Sequence, residues 1–327
     1  NIFTEESRNM YFRITIPSLQ DGKKDEAISF VRDKVMTEFD GTPGLLSMTA
    51  SLSLAQSIDL GRGELPVTVP ENYNSETPNP LIILLHGYTS SGASQDSYMK
   101  FSSLADRYGF LFVAPDGNKE PGGDENRFWN ASPACCDFFQ TKVDDSAYVL
   151  SIIDEMKSSY NIDSNRVYLI GHSNGGFMSY RAAYDHSATI AAIASVAGAN
   201  HAEERGAPDN PVHILQIHGT ADGTIAYDGS EIGGNNYPSA LQSVSRWASY
   251  NGCDAEGAER ELRDLEASIE GHESSVLLFQ KGCQTGGSSE LWTIEGGSHV
   301  PRISASFSEQ VVEWLYAHPK TSASFAD

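Results

Sequence analysis

Short apolar runs separated by helical patterns dominate the chain from residue 80 onward. The runs are nearly continuous in Ile, Leu and Val, and they cover 81–85, 110–114, 167–170, 190–197 and 212–217. Such runs are typical of strands that are buried on both faces, as in a parallel sheet. Helical periodicity covers the stretches 97–108, 144–159, 174–186 and 237–250. This alternation predicts an α/β protein with a mostly parallel central sheet and helices on both faces.

The first 60 residues have a less regular pattern. Apolar residues at helical spacing predict an amphipathic helix over 27–39, and alternation over 45–60 predicts a strand. A second strand is predicted over 64–69. We therefore expect an N-terminal extension over residues 1–61 that packs on a main domain over residues 62–327.

Two segments near the carboxyl terminus also have a recognisable pattern. Residues 254–273 hold eight acidic and two basic residues, which is typical of a solvated surface. Their apolar spacing fits a helix, but a hairpin with a strand over 275–280 fits equally well. The stretch 304–317 carries one apolar stripe and predicts a final helix that packs on the core.

The charge balance excludes some classes of partner. The chain has 327 residues, with 22 basic and 44 acidic side chains and a net charge of −22. Nucleic acids and anionic membranes are not expected as partners, because they attract clustered Lys and Arg. A hydrophobic content of 39% is enough for a packed core, and no apolar run approaches the length of a membrane span. The chain begins at Asn1 without a Met or a signal-peptide pattern, so we expect a processed or trimmed chain.

The strongest chemical signal is the pentapeptide Gly-His-Ser-Asn-Gly over residues 171–175. It follows the apolar run 167–170 and precedes the helical pattern over 174–186. A serine becomes a useful nucleophile where it protrudes from a sharp strand-to-helix turn, and glycines two residues to either side leave room for that turn. We therefore predict that Ser173 is a nucleophile.

Candidate partners for Ser173 occur downstream, in the order acid and then histidine. Asp222 lies in a Gly-containing loop after the run 212–217, and His299 lies in a Gly-rich loop after a strand-like stretch over 291–294. Each of the three residues therefore comes at the carboxyl end of a predicted strand. This order and placement predict a catalytic triad of Ser173, Asp222 and His299.

An oxyanion hole is expected beside the triad. The run 81–85 leads into a His-Gly-Tyr-Thr loop, whose backbone can face the nucleophile. We assign the two donors as the backbone N–H groups of Asn174 and Tyr88, with Thr89 as the alternative to Tyr88. The nine histidines show no metal-ligand spacing, so no metal is expected.

The four cysteines allow three pairings if all are oxidised. A disulfide between Cys253 and Cys283 would close a loop of roughly 30 residues and stabilise the fold by about 3–4 kcal/mol on the loop-entropy model. Cys135 and Cys136 are neighbours, so a bond between them would be unusual, and their pairing stays open. The alternative is four free thiols in a reducing compartment.

Taken together, these motifs resemble the α/β-hydrolase esterases of the poly(3-hydroxybutyrate) depolymerase and feruloyl esterase type, close to carbohydrate esterase family one. The resemblance covers about residues 62–318. The motifs that carry it are His86-Gly87-Tyr88, Pro115-Asp116-Gly117, Trp129-Asn130, Cys135-Cys136, Val143-Asp144-Asp145, the pentapeptide around Ser173, His218-Gly219-Thr220-Ala221-Asp222 and Gly297-Ser298-His299-Val300-Pro301.

The resemblance implies an α/β-hydrolase fold and hydrolysis of carboxylic esters without a cofactor. It also implies a secreted or periplasmic protein with Cys253 paired to Cys283. Trp129 would line the acyl pocket, with Thr89 and His172 as further substrate-binding residues; a plain core tryptophan is the alternative for Trp129. The expected substrates are small or oligomeric esters from plant polysaccharide or polyester: hydroxycinnamate, hydroxyalkanoate or short acyl esters.

Two other functions fit the same residues. The triad would also serve a serine peptidase, and a non-catalytic binding protein could retain the hydrolase scaffold. Ester cleavage is preferred on the resemblance alone. Nothing in the pattern indicates the oligomeric state.

Overall fold

A computed structural model of the chain describes residues 56–122 and 126–320. The predicted helix over 27–39 and most of the predicted strand over 45–60 lie outside these residues. The division at residue 61 therefore stays a prediction. From residue 58 onward, the described residues form one compact unit.

Strands and helices alternate through the described part of the chain. The strands are β1 (Gln56–Asp59), β2 (Glu64–Thr68), β3 (Asn79–Leu85), β4 (Leu111–Val113), β5 (Asn118–Lys119), β6 (Arg127–Phe128), β7 (Ile162–His172), β8 (Ala192–Val196), β9 (His213–Gly219), β10 (Ser230–Ile232), β11 (Asn235–Tyr237), β12 (Ala258–Arg263), β13 (Ser274–Phe279) and β14 (Ser288–Ile294). The helices are α1 (Gly92–Met99), α2 (Ala105–Tyr108), α3 (Asp145–Ser159), α4 (Asn174–Asp185), α5 (Ala240–Tyr250) and α6 (Phe307–Tyr316), with a 3₁₀ turn at Ser102–Leu104.

Ten strands form one central sheet in the order β1-β2-β4-β3-β7-β8-β9-β14-β13-β12. The six strands from β4 to β14 in this order are parallel to one another. Towards the edges, β2 joins β4, and β13 joins β14 and β12, in antiparallel pairs. The carboxyl ends of β7, β8, β9 and β14 therefore meet at one edge of the sheet.

Both faces of the central strands are buried, which explains their continuous apolar runs. In β3, Leu81 and Ile83 belong to the core on one face, together with residues of α3 and α4. The intervening Ile82 and Leu84 belong to the core on the other face, together with residues of α1 and α6. Successive strand residues point to opposite faces, so only a strand covered by helices on both sides reads as uninterrupted hydrophobic sequence. The predicted mostly parallel sheet with helices on both faces is confirmed.

Two local predictions differ from the structure. The helix predicted over 97–108 is instead α1, a 3₁₀ turn and α2, because the chain turns at Lys100 with a positive φ of 59°. Helix α1 begins earlier than predicted, where the side chain of Ser91 accepts the Ser94 N–H as an N-cap. The acidic segment forms strand β12, paired with β13, so the hairpin interpretation is confirmed and the helical one is wrong.

All four cysteines form disulfides in the structure. Cys253 is bonded to Cys283, which joins the end of α5 to the connection between β13 and β14. Cys135 is bonded to its neighbour Cys136. The alternative of four free thiols is therefore not what the structure contains.

Candidate active site

Ser173 lies at the tip of a sharp turn between β7 and α4. Its backbone has a φ of 54° and a ψ of −119°, a conformation that L residues rarely adopt. The flanking glycines are required sterically. A Cβ at Gly171 would lie 2.0 Å from the carbonyl oxygen of Gly175, and a Cβ at Gly175 would lie 2.1 Å from the carbonyl oxygen of Leu85. The pentapeptide therefore holds the serine hydroxyl out from the sheet edge.

The structure brings the three predicted triad side chains into one hydrogen-bonded chain. His299 Nε2 lies 2.9 Å from Ser173 Oγ, and His299 Nδ1 lies 2.8 Å from Asp222 Oδ2. The loops that carry Asp222 and His299 are in direct contact, since a Cβ at Gly219 would lie 2.1 Å from the Gly297 carbonyl oxygen. The hydrogen bond between Asp222 and His299 depends on this close approach of two loops that are far apart in sequence.

The Asp222 carboxylate is fully engaged. Its Oδ1 accepts the backbone N–H groups of Thr224 and Ile225, both at 2.8 Å. Its Oδ2 accepts from His299 and also lies 3.2 Å from Nε2 of His218. Burial raises the pKa of this carboxyl, but the hydrogen bonds from His218, His299 and Thr224 outweigh burial and hold the pKa well below its usual range. Asp222 is therefore an anion that accepts the Nδ1–H of His299.

His218 is a second support of Asp222 at the oxygen that also accepts from His299, a contact that the sequence patterns did not reveal. Its Nε2 lies 2.8 Å from the Ile225 carbonyl, so this nitrogen carries the proton, and Nδ1 accepts from Gln216 Nε2 at 3.1 Å. Both side chains are buried. The only hint in the sequence is the placement of His218 four residues before Asp222, at the end of the same strand.

Two backbone N–H groups are placed to serve as oxyanion donors. Neither the Asn174 N–H nor the Tyr88 N–H donates to another atom among the described residues. The Thr89 N–H, in contrast, donates to the Arg127 carbonyl at 2.8 Å. The Tyr88 loop lies against the nucleophile, since a Cβ at Gly87 would be 3.4 Å from Ser173 Cβ. The geometry therefore favours Tyr88 over Thr89 as the second donor.

Trp129 has a different environment from the one expected. It was predicted to line the acyl pocket, but its side chain is completely buried and its Nε1–H donates to the His86 carbonyl at 3.0 Å. Its backbone N–H donates to Asn174 Oδ1 at 2.7 Å, and its carbonyl accepts from Asn174 Nδ2 at 2.9 Å. A side chain without exposed surface cannot contact substrate here, so the alternative of a core tryptophan is the correct one. Trp129 instead holds the side chain of Asn174.

His172 is largely buried and supports the loop that carries His299. Its Nε2 lies 2.9 Å from the backbone carbonyl of His299, to which it donates. Its ring packs against that of His299 with 5.2 Å between centroids. His172 therefore supports the His299 loop, and its predicted role in binding substrate stays a prediction. Thr89 is exposed beside Tyr88, and its role in binding substrate stays a prediction.

Buried histidines make the stability of the fold depend on pH. Burial lowers the pKa of His86 and of His172 to about 4, and that of His213 to about 3. In the unfolded chain each would titrate near its ordinary value of about 6.5. Below that pH the unfolded chain binds protons that the folded protein does not, so the free energy of unfolding falls as the pH decreases towards 4.

We expect a loss of about 2 kcal/mol per buried histidine between pH 7 and pH 5. Urea unfolding at the two pH values measures this loss. His213 lies at the amino end of β9, away from Ser173, so His213→Gln should shrink the loss by about 2 kcal/mol. An unchanged pH dependence in this variant would contradict the argument.

The described residues show two further absences. In the described ranges, no three His, Cys, Asp or Glu side chains are grouped so that they could hold a metal ion. No helix within those ranges combines the length and apolarity of a membrane span.

Comparison with protein families and curated sequences gives consistent matches. The family described as Phospholipase/Carboxylesterase matches residues 72–273, which is more than half of the chain. A bifunctional acetylxylan esterase/xylanase of Neocallimastix patriciarum is 37% identical over 165 residues, covering 50% of this chain and 22% of that protein. Feruloyl esterase B of Piromyces equi is 28% identical over 243 residues, covering 72% of this chain and 42% of that protein. The matched part of this chain thus spans less than half the length of these two relatives.

Solved structures show the same fold. An acetyl xylan esterase from Aspergillus awamori aligns with a TM-score of 0.57 at 15% identity, covering 80% of this chain and 98% of that chain. A thermostable esterase aligns with a TM-score of 0.51 at 16% identity, covering 82% and 63%. At these identities the similarity establishes the α/β-hydrolase fold.

Proposed function

The chain belongs to the phospholipase/carboxylesterase family, and from that premise we propose that it is a serine carboxylesterase. The observation that carries the proposal is the hydrogen-bonded chain from Ser173 Oγ through His299 to Asp222, with distances of 2.9 and 2.8 Å. The named esterase activities of the relatives support ester cleavage.

In the first half of the reaction, Ser173 Oγ attacks the ester carbonyl carbon while His299 Nε2 takes its proton. Asp222 holds His299 in the tautomer with the proton on Nδ1, so Nε2 presents its lone pair to the serine. The carbonyl oxygen becomes an oxyanion that accepts from the N–H groups of Asn174 and Tyr88. Asn174 is also the first residue of α4, whose positive end favours that negative charge.

The first half ends when His299 gives its proton to the oxygen of the departing alcohol, and the acyl group stays on Ser173 as an ester. In the second half, the acyl group is released to water. A water molecule then loses a proton to His299 Nε2 and attacks the acyl carbonyl. Collapse of the second oxyanion returns the proton to Ser173 and frees the acid.

The substrates we propose are small or oligomeric carboxylic esters, of the hydroxycinnamate, short acyl or hydroxyalkanoate classes. Esters attached to plant polysaccharide are supported by the feruloyl esterase and acetylxylan esterase relatives. We also propose a secreted or periplasmic location, because two disulfides persist only in an oxidising environment.

A kinetic panel tests the function. It contains methyl ferulate, a 3-hydroxybutyrate oligomer, p-nitrophenyl acetate, p-nitrophenyl butyrate and a set of peptides. We expect turnover of at least one ester class, together with covalent labelling of Ser173 by a fluorophosphonate probe. Peptide cleavage without ester turnover would instead identify a peptidase, and failure of both turnover and labelling would leave a non-catalytic binding protein.

A further inference from the structure

Two phenylalanines next to the candidate active site are exposed on a tightly held loop. Phe138 and Phe139 have relative exposures of 48% and 52%. We call residues 135–142, which carry them, the aromatic loop. Exposed aromatic side chains forgo the free energy of burial, so their presence on a rigid loop indicates a contact surface.

The aromatic loop is held in shape by Asp137 at its centre. Asp137 Oδ1 accepts from the Thr141 backbone N–H at 2.8 Å and from its hydroxyl at 3.0 Å. The other oxygen, Oδ2, accepts the Lys142 N–H at 2.7 Å. Backbone hydrogen bonds hold the start of the loop, since the Cys136 N–H donates to the Trp129 carbonyl at 3.2 Å and the Cys135 carbonyl accepts the Ala131 N–H at 3.1 Å. The two phenylalanines are therefore presented by a loop whose backbone is held by hydrogen bonds.

The aromatic loop contacts both residues that supply the proposed oxyanion donors. Cys135 Sγ accepts from Asn174 Nδ2 at 3.4 Å. The ring of Phe138 packs edge-to-face on the ring of Tyr88, with 5.3 Å between centroids and an interplanar angle of 89°. The loop thus borders the oxyanion hole along one side.

The position of His299 decides which part of an ester lies on that side. The alcohol oxygen must face His299 Nε2, because His299 protonates it. The carbonyl oxygen must face the N–H groups of Asn174 and Tyr88. The acyl chain takes the remaining direction at the tetrahedral carbon, away from His299.

We propose that Phe138, together with the ring of Tyr88, forms an acyl subsite for a planar aromatic ring and determines the preference for aromatic over aliphatic acids. This inference rests on the proposed esterase function and adds a specificity-determining residue to it. Phe138 and Tyr88 already pack edge-to-face, and the aromatic ring of a substrate acid could pack on them in the same way. Such contacts between aromatic rings stabilise beyond the area that they bury, which an aliphatic acyl chain cannot match.

Esters that share one alcohol isolate the acyl group. We expect Phe138→Ala to lower the ratio of kcat/KM for methyl ferulate to kcat/KM for methyl hexanoate about tenfold or more. Phe138→Tyr keeps an aromatic ring and should keep this ratio within about threefold of the parent, whereas Phe138→Leu should lower it as the alanine variant does. Leu241→Ala is the matched control, because Leu241 is 45% exposed and lies in α5. This control should leave kcat/KM unchanged for methyl ferulate and for methyl hexanoate.

Three results would overturn the subsite. One is an unchanged ratio in Phe138→Ala, and another is an equal fall for both esters, which would indicate a general effect of the loop on the active site. A ratio that Phe138→Leu preserves would likewise contradict selection of an aromatic ring.

Binding without turnover separates this inference from the proposed function. Calorimetry with methyl ferulate measures Kd for Ser173→Ala and for the same protein with Phe138→Ala added, and we expect Kd to rise about tenfold. If the parent protein hydrolyses no ester but this difference persists, the esterase function fails and the subsite stands. If the parent hydrolyses esters and neither Kd nor the ratio changes, the subsite fails and the esterase function stands.

Discussion

Ser173→Ala should fold normally and lose ester hydrolysis by a factor on the order of 10⁴ to 10⁶ in kcat. The variant removes the only atom that attacks the substrate and leaves the oxyanion donors in place. Alanine has a Cβ as serine does and nearly the same size. It should therefore adopt the strained backbone with a φ of 54° at a similar cost. Residual activity would come from substrate binding and the oxyanion hole alone.

The measurement is the rate of p-nitrophenyl acetate hydrolysis together with thermal unfolding of both proteins. Ser151→Ala serves as the matched control, because Ser151 lies in α3 and donates only to the Tyr148 carbonyl. The control should keep the parent rate. Activity of Ser173→Ala within tenfold of the parent would remove Ser173 from the mechanism and with it the proposed function.

Asp222→Asn should lower kcat about 10⁴-fold while KM changes little. The two oxygens of Asp222 accept four hydrogen bonds, two on Oδ1 from backbone N–H groups and two on Oδ2 from His299 and His218. An asparagine must place its NH₂ group against one of these pairs of donors. If the amide oxygen keeps accepting from the two backbone N–H groups, the NH₂ group faces His299 Nδ1. The imidazole proton of His299 then lies on Nε2, and Nε2 can no longer accept the proton of Ser173.

Steady-state kinetics with one ester tests this expectation. Asp144→Asn is the matched control, since Asp144 caps α3 through its side chain and asparagine is an equally good N-cap. The control should retain the parent kcat. A loss in Asp222→Asn of less than about tenfold, with its fold intact, would mean that another group orients His299.

The order of the elements was predictable because burial on both faces leaves a mark in the sequence. The five apolar runs correspond to β3, β4, β7, β8 and β9. The three residues of the candidate triad could also be located in advance, since each follows a buried strand and each lies in a turn with glycine. Gly171 and Gly175 are the clearest case, because backbone atoms fill the space where a Cβ would stand.

Some local structure was not predictable because two conformations fit the same spacing. The spacing of Leu262 and Leu265 suits a helix as well as a strand, and pairing with β13 placed Leu262 in strand β12 at the edge of the sheet. The choice between Tyr88 and Thr89 was equally open. It depends on the Arg127 carbonyl, which takes the Thr89 N–H from a separate part of the chain.

The amino-acid sequence by itself determined the α/β layering, the strand-end placement of Ser173, Asp222 and His299, and their order along the chain. These features are local, since they depend on periodicity, turns and neighbouring glycines. Only the tertiary structure decided that Trp129 and His172 are buried supports, that His218 binds Asp222, and that Phe138 stands beside Tyr88. Those assignments depend on which residues from distant parts of the chain contact each side chain. The hydrophobic pattern reports local structure and does not identify these contacting residues.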